Sequence, residues 1–164
     1  MATYHDRITS EQRPLLEAAR LFFVASTAPD LSAGPHGQGP VNVSPKGSVA
    51  LRVLDERTVA YVDLPGSGNE TARAAMAGGP ITVMAMSMDA EDAVIVRLYG
   101  HARIEELPAG EDPELAPHEI LGRPRQLIVV DVESTSTSCG YGVPVLEHRG
   151  DRGKDQCGRR YKEA

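Results

Sequence analysis

The chain has 164 residues, with 17 Lys or Arg against 23 Asp or Glu, so its net charge is −6 at pH 7. One domain accounts for this length, and the negative charge argues against a nucleic-acid partner, whose phosphates bind cationic surfaces. Two cysteines are too few for a disulfide framework or a four-cysteine zinc site, and the lack of a long apolar run or a signal-peptide pattern predicts a soluble cytoplasmic protein with no membrane span.

The first half of the chain predicts one helix and four strands. Thr9 and Gln12 have the spacing of a capping box, and the apolar residues that follow predict a helix over 10–20. Runs rich in β-branched and aromatic residues predict strands over 21–27, 41–44, 49–54 and 58–64, with a loop rich in Gly and Pro over 29–40. Only Asp55, Glu56 and Arg57 separate the last two strands, which forces them into an antiparallel hairpin.

The second half predicts two short helices, three further strands and a tail. The first of these helices follows the Gly-rich turn after Leu64 and ends at Gly78 and Gly79. Alternation of residue faces predicts strands over 81–88 and 94–104, and an apolar run predicts a buried strand over 127–132, preceded by a short helix near 117–121. From Glu147 onward six residues are basic and four acidic, so we divide the chain into a domain over 1–146 and a charged tail over 147–164.

The order of these elements favours a mainly β fold. Antiparallel strands interrupted by two short helices are typical of a small closed or partly closed β-barrel with the helices packed on its outside. A doubly wound α/β fold is disfavoured because strands and helices do not alternate along the chain.

The strongest local signal for a binding site is the turn GSGNET over 66–71, between a strand and a helix. Backbone N–H groups at the start of a helix attract anions, and Ser67, Asn69 and Thr71 add side-chain donors, so the turn is a candidate phosphate site. It matches neither the dinucleotide fingerprint nor a nucleotide P-loop. The alternative is an ordinary helix N-cap formed by Ser67 or Asn69.

Two further groups of residues are candidates for binding. Strand alternation places Asn42, Ser44 and Lys46 on one side, where a cation joins two polar groups; the alternative is a solvated strand end. Tyr141 lies between two glycines that let the backbone approach a flat molecule, or it plugs the end of a barrel.

The histidines lack metal-ligand spacing and the serines lack a nucleophile elbow, so we predict no metal site and assign no catalytic residue.

In their order along the chain, the motifs VNVSPKG, DLPGSGNET and SCGYGVP resemble the pyridoxamine 5'-phosphate oxidase-like superfamily of FMN-binding split barrels. The resemblance covers residues 21–146 and is closest to the subgroup of pyridoxamine 5'-phosphate oxidase-related FMN-binding proteins. It implies a homodimer of six-stranded antiparallel split β-barrels with flanking short α-helices, in which two FMN molecules lie at the subunit interface. It also implies an FMN-dependent oxidoreductase that acts on a small-molecule substrate.

This resemblance also implies which residues bind the cofactor. The flavin and its phosphate are lined by Asn42, Ser44 and Lys46. The ring or the ribityl chain passes Asp63 and Leu64, and the phosphate is held by Ser67, Gly68, Asn69 and Thr71. The subunit interface contributes Arg97 and Tyr141.

The chain departs from the oxidase that gives the superfamily its name. That enzyme has an Arg-Lys pair after the phosphate-site serine, where this chain has Gly68 and Asn69, and its C-terminal arginine and histidine region is missing here. We therefore do not expect oxidation of vitamin B6. Two alternatives to a flavin oxidoreductase stay open: a non-catalytic protein that binds flavin, haem or deazaflavin, and a split barrel used for non-redox biosynthetic chemistry.

Overall fold

The computed structural model describes residues 1–34, 37, 39–47, 49–65, 69–89, 92–107 and 124–150. These residues form two short helices and eight strands. In chain order the elements are β1 (Thr3–His5), α1 (Gln12–Ala18), β2 (Phe22–Thr27), β3 (Val41–Lys46), β4 (Arg52–Asp55), β5 (Thr58–Asp63), α2 (Glu70–Met76), β6 (Pro80–Met86), β7 (Val94–Glu105) and β8 (Gln126–Cys139).

All paired strands are antiparallel and belong to one sheet. Their order is β3-β2-β6-β7-β8-β5-β4, and β1 pairs with β8 beside that path. Within the described residues, β3 and β4 are therefore the two ends of this path, and β1 also has one unpaired edge. The predicted mainly β, antiparallel split-barrel class with flanking helices is confirmed, with eight strands in place of six.

One face of the sheet carries the main hydrophobic core. Alternate residues of its strands are buried there, and Leu16 of α1 and Ala72 of α2 pack over them. We call this the inner face of the sheet. A second, smaller apolar cluster lies on the outer face of β5 and β8 and consists of Ala60, Val62, Leu127 and Val129.

The pairing of β7 with β8, the two longest strands, is interrupted by a β-bulge. The register shifts between Tyr99 and Gly100, which leaves Glu133 of β8 without a paired residue. A Cβ atom on Gly100 would overlap the carbonyl oxygen of Asp131. This close approach of two backbones requires glycine at position 100.

Both helices predicted within the described residues are present, with shorter bounds. At the start of α1 the backbone N–H of Gln12 donates to Thr9 Oγ1 at 3.2 Å, and the backbone N–H of Thr9 donates to Gln12 Oε1 at 3.0 Å. This reciprocal pair is the predicted capping box. After α2, Gly78 has a φ of 76°, a left-handed conformation that ends the helix. The predicted helix near 117–121 and the tail beyond residue 150 lie outside the described residues.

The sequence analysis missed β1 and the second half of β8. The predicted strand over 127–132 continues to Cys139, because Ser and Thr side chains on both faces find hydrogen-bond partners. Thr135 and Thr137 bond to Gln12, and Ser136 and Ser138 bond to Tyr99 and Arg97. With polar residues on both faces, this stretch has no alternation in polarity that would reveal a strand.

None of the helices in the described part of the chain combines the length and the apolar character needed to cross a membrane.

Candidate functional site

Side chains join β3 to β5 across the split in the sheet. Lys46 Nζ at the end of β3 lies 3.6 Å from Asp63 Oδ1 at the end of β5, and the two side chains are 18% and 10% exposed. The ring of Tyr61 lies 5.6 Å from Lys46 Nζ and meets the ring of Phe22 edge to face, with centroids 5.4 Å apart. Since β3 and β5 are not neighbours in the sheet, side chains rather than a backbone ladder close the barrel here.

The register of β2 with β3 fixes which face the β3 side chains occupy. Asn42, Ser44 and Lys46 pair with Ser26, Val24 and Phe22, and paired residues of antiparallel strands share a face. Val24 and Phe22 belong to the core. The three β3 side chains therefore lie together on the inner face beside the split, as the alternation predicts.

An amide connects β3 to α2 at one end of the split. Asn42 Nδ2 donates to Ser26 Oγ at 3.4 Å and to Thr71 Oγ1 at 3.3 Å. Ser26 and Thr71 are almost completely buried, at 4% and 6% exposure. These contacts place the first turn of α2 over the inner face of β2 and β3.

A second amide connects β5 and α2 to the start of β8. Gln126 Nε2 donates to Asp63 Oδ2 at 3.0 Å and to Asn69 Oδ1 at 3.2 Å. Asn69 is the N-cap residue of α2 and has a left-handed backbone, with φ of 54° and ψ of 29°, but its side chain makes no cap hydrogen bond. We call the whole set the polar seam: Ser26, Asn42, Ser44, Lys46, Asp63, Asn69, Thr71 and Gln126.

Tyr61 contributes a buried hydroxyl next to the polar seam. The side chain is fully buried, and its hydroxyl has no hydrogen-bond partner among the described residues. Burial raises the pKa of Tyr61 far above its ordinary value, the negative charge of Asp63 adds to the shift, and the hydroxyl of Thr71 opposes it in part. The hydroxyl therefore stays protonated and neutral throughout the physiological pH range.

Replacing Tyr61 by Phe is expected to leave the stability of the ligand-free protein unchanged or to raise it by about 1 kcal/mol, because an unpaired buried hydroxyl carries a desolvation cost. The phenyl ring keeps the contacts with Phe22 and Lys46. Urea unfolding measures the change. A loss of about 1 kcal/mol or more would show that the hydroxyl has a partner in solution.

A cavity of about 410 Å³ opens beside the polar seam, between α2 and the loop that follows β2. Ser26 and Asn42 line both the cavity and the seam, while Glu70 and Arg73 of α2 add one charge of each sign. Cavities of about 300 to 1,000 Å³ are typical of small-molecule sites. The seam therefore adjoins a space large enough for a small molecule.

Three of the sequence-predicted site residues lie away from the polar seam within one chain. Leu64 packs against the outer apolar cluster of β5 and β8. Arg97 alternates with the core residues Val96 and Leu98, so it lies on the outer face, where it donates to Ser138 Oγ at 3.0 Å.

Tyr141 follows the end of β8 opposite to Gln126 and is 90% exposed. Two further predicted site residues, Ser67 and Gly68, lie outside the described residues. The structure thus brings together Asn42, Ser44, Lys46, Asp63, Asn69 and Thr71.

The donors of the polar seam fit an anionic group such as a phosphate. Lys46 supplies a largely buried positive charge, and the side chains of Asn42 and Thr71 supply neutral hydrogen-bonding groups. Asp63 balances the charge of Lys46, so an incoming anion would compete with this carboxylate. Within the described ranges, no group of three or more His, Cys, Asp or Glu side chains is arranged to hold a metal ion.

Sequence reasoning missed three residues of this region. Ser26 and Tyr61 lie within apolar strand segments, and nothing in their neighbours along the chain distinguishes them. Gln126 is a single polar residue before an apolar run, and its two partners precede it by 63 and 57 positions. Only the pairing of β5 with β8 brings these positions together.

The chain is 33% identical over 153 residues to the pyridoxamine 5'-phosphate oxidase family protein ustO of Aspergillus flavus. This similarity covers 90% of the chain but 58% of the relative, so the chain spans less than two thirds of that protein's length. No protein-family model matches the chain.

Two solved structures illustrate the similarity of the fold. HupZ of Group A Streptococcus has a TM-score of 0.55 and 24% identity, covering 77% of this chain and 90% of that one. A protein of Lactobacillus delbrueckii described as a candidate pyridoxamine 5'-phosphate oxidase has a TM-score of 0.54 and 21% identity, covering 80% of this chain and 94% of that one. At these identities the similarity establishes a common fold.

Proposed function

We propose that the chain is a member of the pyridoxamine 5'-phosphate oxidase-like superfamily of split barrels, to one of whose proteins it is similar in sequence, and that it binds FMN along the polar seam. The observation that carries this proposal is the position of Lys46, a largely buried cation at the split, on the same face of β3 as Asn42 and Ser44. A buried cation beside neutral donors is suited to a phosphate ester.

The proposed roles follow the position of each residue along the seam. Lys46, Asn42 and Ser44 line the flavin and its phosphate, and Asp63 lies along the ring or the ribityl chain. The phosphate is held by Asn69 and Thr71 together with Ser67 and Gly68. These assignments place the only side-chain cation of the seam next to the only dianionic group of FMN.

Bound FMN would supply hydride and single-electron chemistry that no side chain provides. The protein binds and orients the cofactor and provides the electrostatic environment. The rings of Phe22 and Tyr61 pack against each other, and the Tyr61 ring lies beside Lys46. These rings would exclude water from that side of the seam. The cavity beside Glu70 and Arg73 is the proposed place of a small-molecule substrate, and the reaction class is oxidoreduction.

A second copy of the chain is the proposed occupant of the outer face of β3, β2 and β6. Val41 and Val43 of the edge strand β3 are 63% and 61% exposed on this face, and Phe23 and Met84 lie beside them, half-buried. Contiguous exposed apolar residues are typical of interaction surfaces. In the proposed homodimer, Arg97 and Tyr141 reach the flavin bound by the other subunit.

Titration of the purified protein with FMN tests the proposed function. We expect flavin absorption bands that co-elute with the protein, bleach on reduction with dithionite, and travel with a particle of twice the 17.6 kDa chain mass by light scattering. Riboflavin, which lacks the phosphate, is expected to bind more weakly. Co-elution of the flavin bands with the protein tests the binding proposal, and the particle mass separately tests the proposed homodimer.

Parallel titrations with haem and deazaflavin test the alternatives. A Soret band with haem, or binding of deazaflavin without binding of FMN, would replace the proposed cofactor. A protein that binds none of the three and stays colourless would contradict the flavin proposal and favour non-redox chemistry.

A further inference from the structure

The side-chain amide of Gln126 contacts both ends of the turn between β5 and α2. Its Nε2 donates to Asp63 Oδ2 at 3.0 Å, where β5 ends, and to Asn69 Oδ1 at 3.2 Å, where α2 begins. The neighbouring backbone N–H of Arg125 donates to the carbonyl oxygen of Asp63 at 2.9 Å. The start of β8 therefore holds both ends of this turn at one place.

The chemistry of the partners fixes the orientation of the amide. Asp63 as a carboxylate only accepts hydrogen bonds, so the NH₂ group of Gln126, not its carbonyl oxygen, must face it. The same NH₂ group reaches Asn69. One amide nitrogen thus joins the counter-ion of Lys46 to the N-cap residue of α2.

Both partners of Gln126 adjoin groups that the proposed cofactor would contact. The other oxygen of Asp63 faces Lys46 at 3.6 Å. Asn69 holds a left-handed backbone, and its carbonyl accepts the backbone N–H of Arg73 at 3.0 Å, the bond that starts α2. A substitution at Gln126 is therefore expected to alter both the position of the Lys46 ammonium and the backbone at the start of α2.

We propose that Gln126 is a positioning residue for the anion-binding side of the polar seam. It does not contact the ligand; it fixes Asp63, and through Asp63 the ammonium of Lys46, relative to Asn69. This inference rests on the proposed FMN site and adds a residue on a further element, β8, to those that determine how tightly the phosphate is held.

Two variants of Gln126 test the proposal by FMN and riboflavin titration. Gln126→Leu removes both hydrogen bonds and is expected to weaken FMN binding about fivefold, the effect of about 1 kcal/mol, with a smaller effect on riboflavin. The matched control is Gln12→Leu, which removes a buried, hydrogen-bonded glutamine on α1, away from the seam. The control is expected to lower stability and leave FMN affinity unchanged.

The second variant, Gln126→Glu, distinguishes positioning from simple destabilisation. At pH 8 the new carboxylate cannot donate to Asp63 and repels it, so FMN affinity relative to the wild type is expected to fall. Two adjacent carboxyl groups bind a shared proton as the pH falls, which restores an O–H donor between them, so the affinity relative to the wild type is expected to recover towards pH 5. Gln126→Leu is expected to show no such recovery.

Amide hydrogen exchange of the flavin-free protein gives a readout that does not depend on the cofactor. We expect the amides at the start of α2 to exchange faster in Gln126→Leu than in the wild type, and at the wild-type rate in Gln12→Leu. If the wild type binds no FMN, the proposed function fails, and faster exchange still supports the positioning role. Wild-type FMN affinity together with wild-type exchange in Gln126→Leu would overturn the inference.

Discussion

Replacing Lys46 by Met is expected to weaken FMN binding by about 10- to 100-fold. Hydrogen bonds to charged groups contribute about 1.5 to 3 kcal/mol, and about 1.4 kcal/mol corresponds to a tenfold change in Kd. Met keeps the apolar stem over the Tyr61 ring and removes only the charge. Isothermal titration with FMN measures the loss, and riboflavin is expected to bind the variant and the wild type nearly equally.

Asp63 gives the matched comparison for this prediction. Lys46→Met leaves the carboxylate of Asp63 buried without its cation, which lowers stability as well as affinity. The double variant Lys46→Met/Asp63→Asn removes both charges and is expected to recover stability while still failing to hold FMN. Equal FMN affinity in the wild type and in the Lys46→Met variants would contradict the assignment of Lys46 to the phosphate.

Replacing Gly100 by Ala is expected to destabilise the protein by about 3 kcal/mol, because a side chain here must displace backbone rather than a flexible side chain. The added Cβ would overlap the carbonyl oxygen of Asp131 and approach the Cα of Val132 to 3.2 Å. For a domain of this size that loss corresponds to a fall in Tm of roughly 6 to 12 °C. Differential scanning calorimetry measures it.

Gly142→Ala is the matched control for Gly100→Ala. No heavy atom of the described structure, apart from its chain neighbours, lies within 4 Å of a Cβ atom built on Gly142. Its substitution is expected to change stability by less than about 0.5 kcal/mol. Equal Tm values for the two variants would show that the bulge relaxes to accept a side chain.

The parts of the fold that local sequence determines were predictable. The capping box at Thr9 and Gln12, the hairpin between β4 and β5 and the end of α2 at Gly78 all depend on residues a few positions apart. The second half of β8 was not predictable. Its Ser and Thr residues form a strand because Gln12, Tyr99 and Arg97 bond to them from distant elements.

The same distinction applies to the polar seam. Alternation along β3 placed Asn42, Ser44 and Lys46 on one face, and the turn before α2 indicated Asn69 and Thr71. The ion pair of Lys46 with Asp63 was not predictable, because it depends on how the sheet curves until β3 approaches β5. Arg97 lies on the outer face because the residues on either side of it belong to the core. Sequence alternation separates the two faces of this strand but does not show which face is buried.

The place of β8 in the sheet has a consequence for biosynthesis. β8 is the last of the described strands to leave the ribosome, yet it pairs with β1, β5 and β7 in the interior of the strand order. A nascent chain that ends before Gln126 has no partner for one edge of β5 and one edge of β7, and exposed strand edges promote aggregation. The barrel therefore cannot be completed before β8 has been synthesised, and a chain truncated upstream of residue 126 would be an aggregation-prone fragment instead of a smaller folded protein.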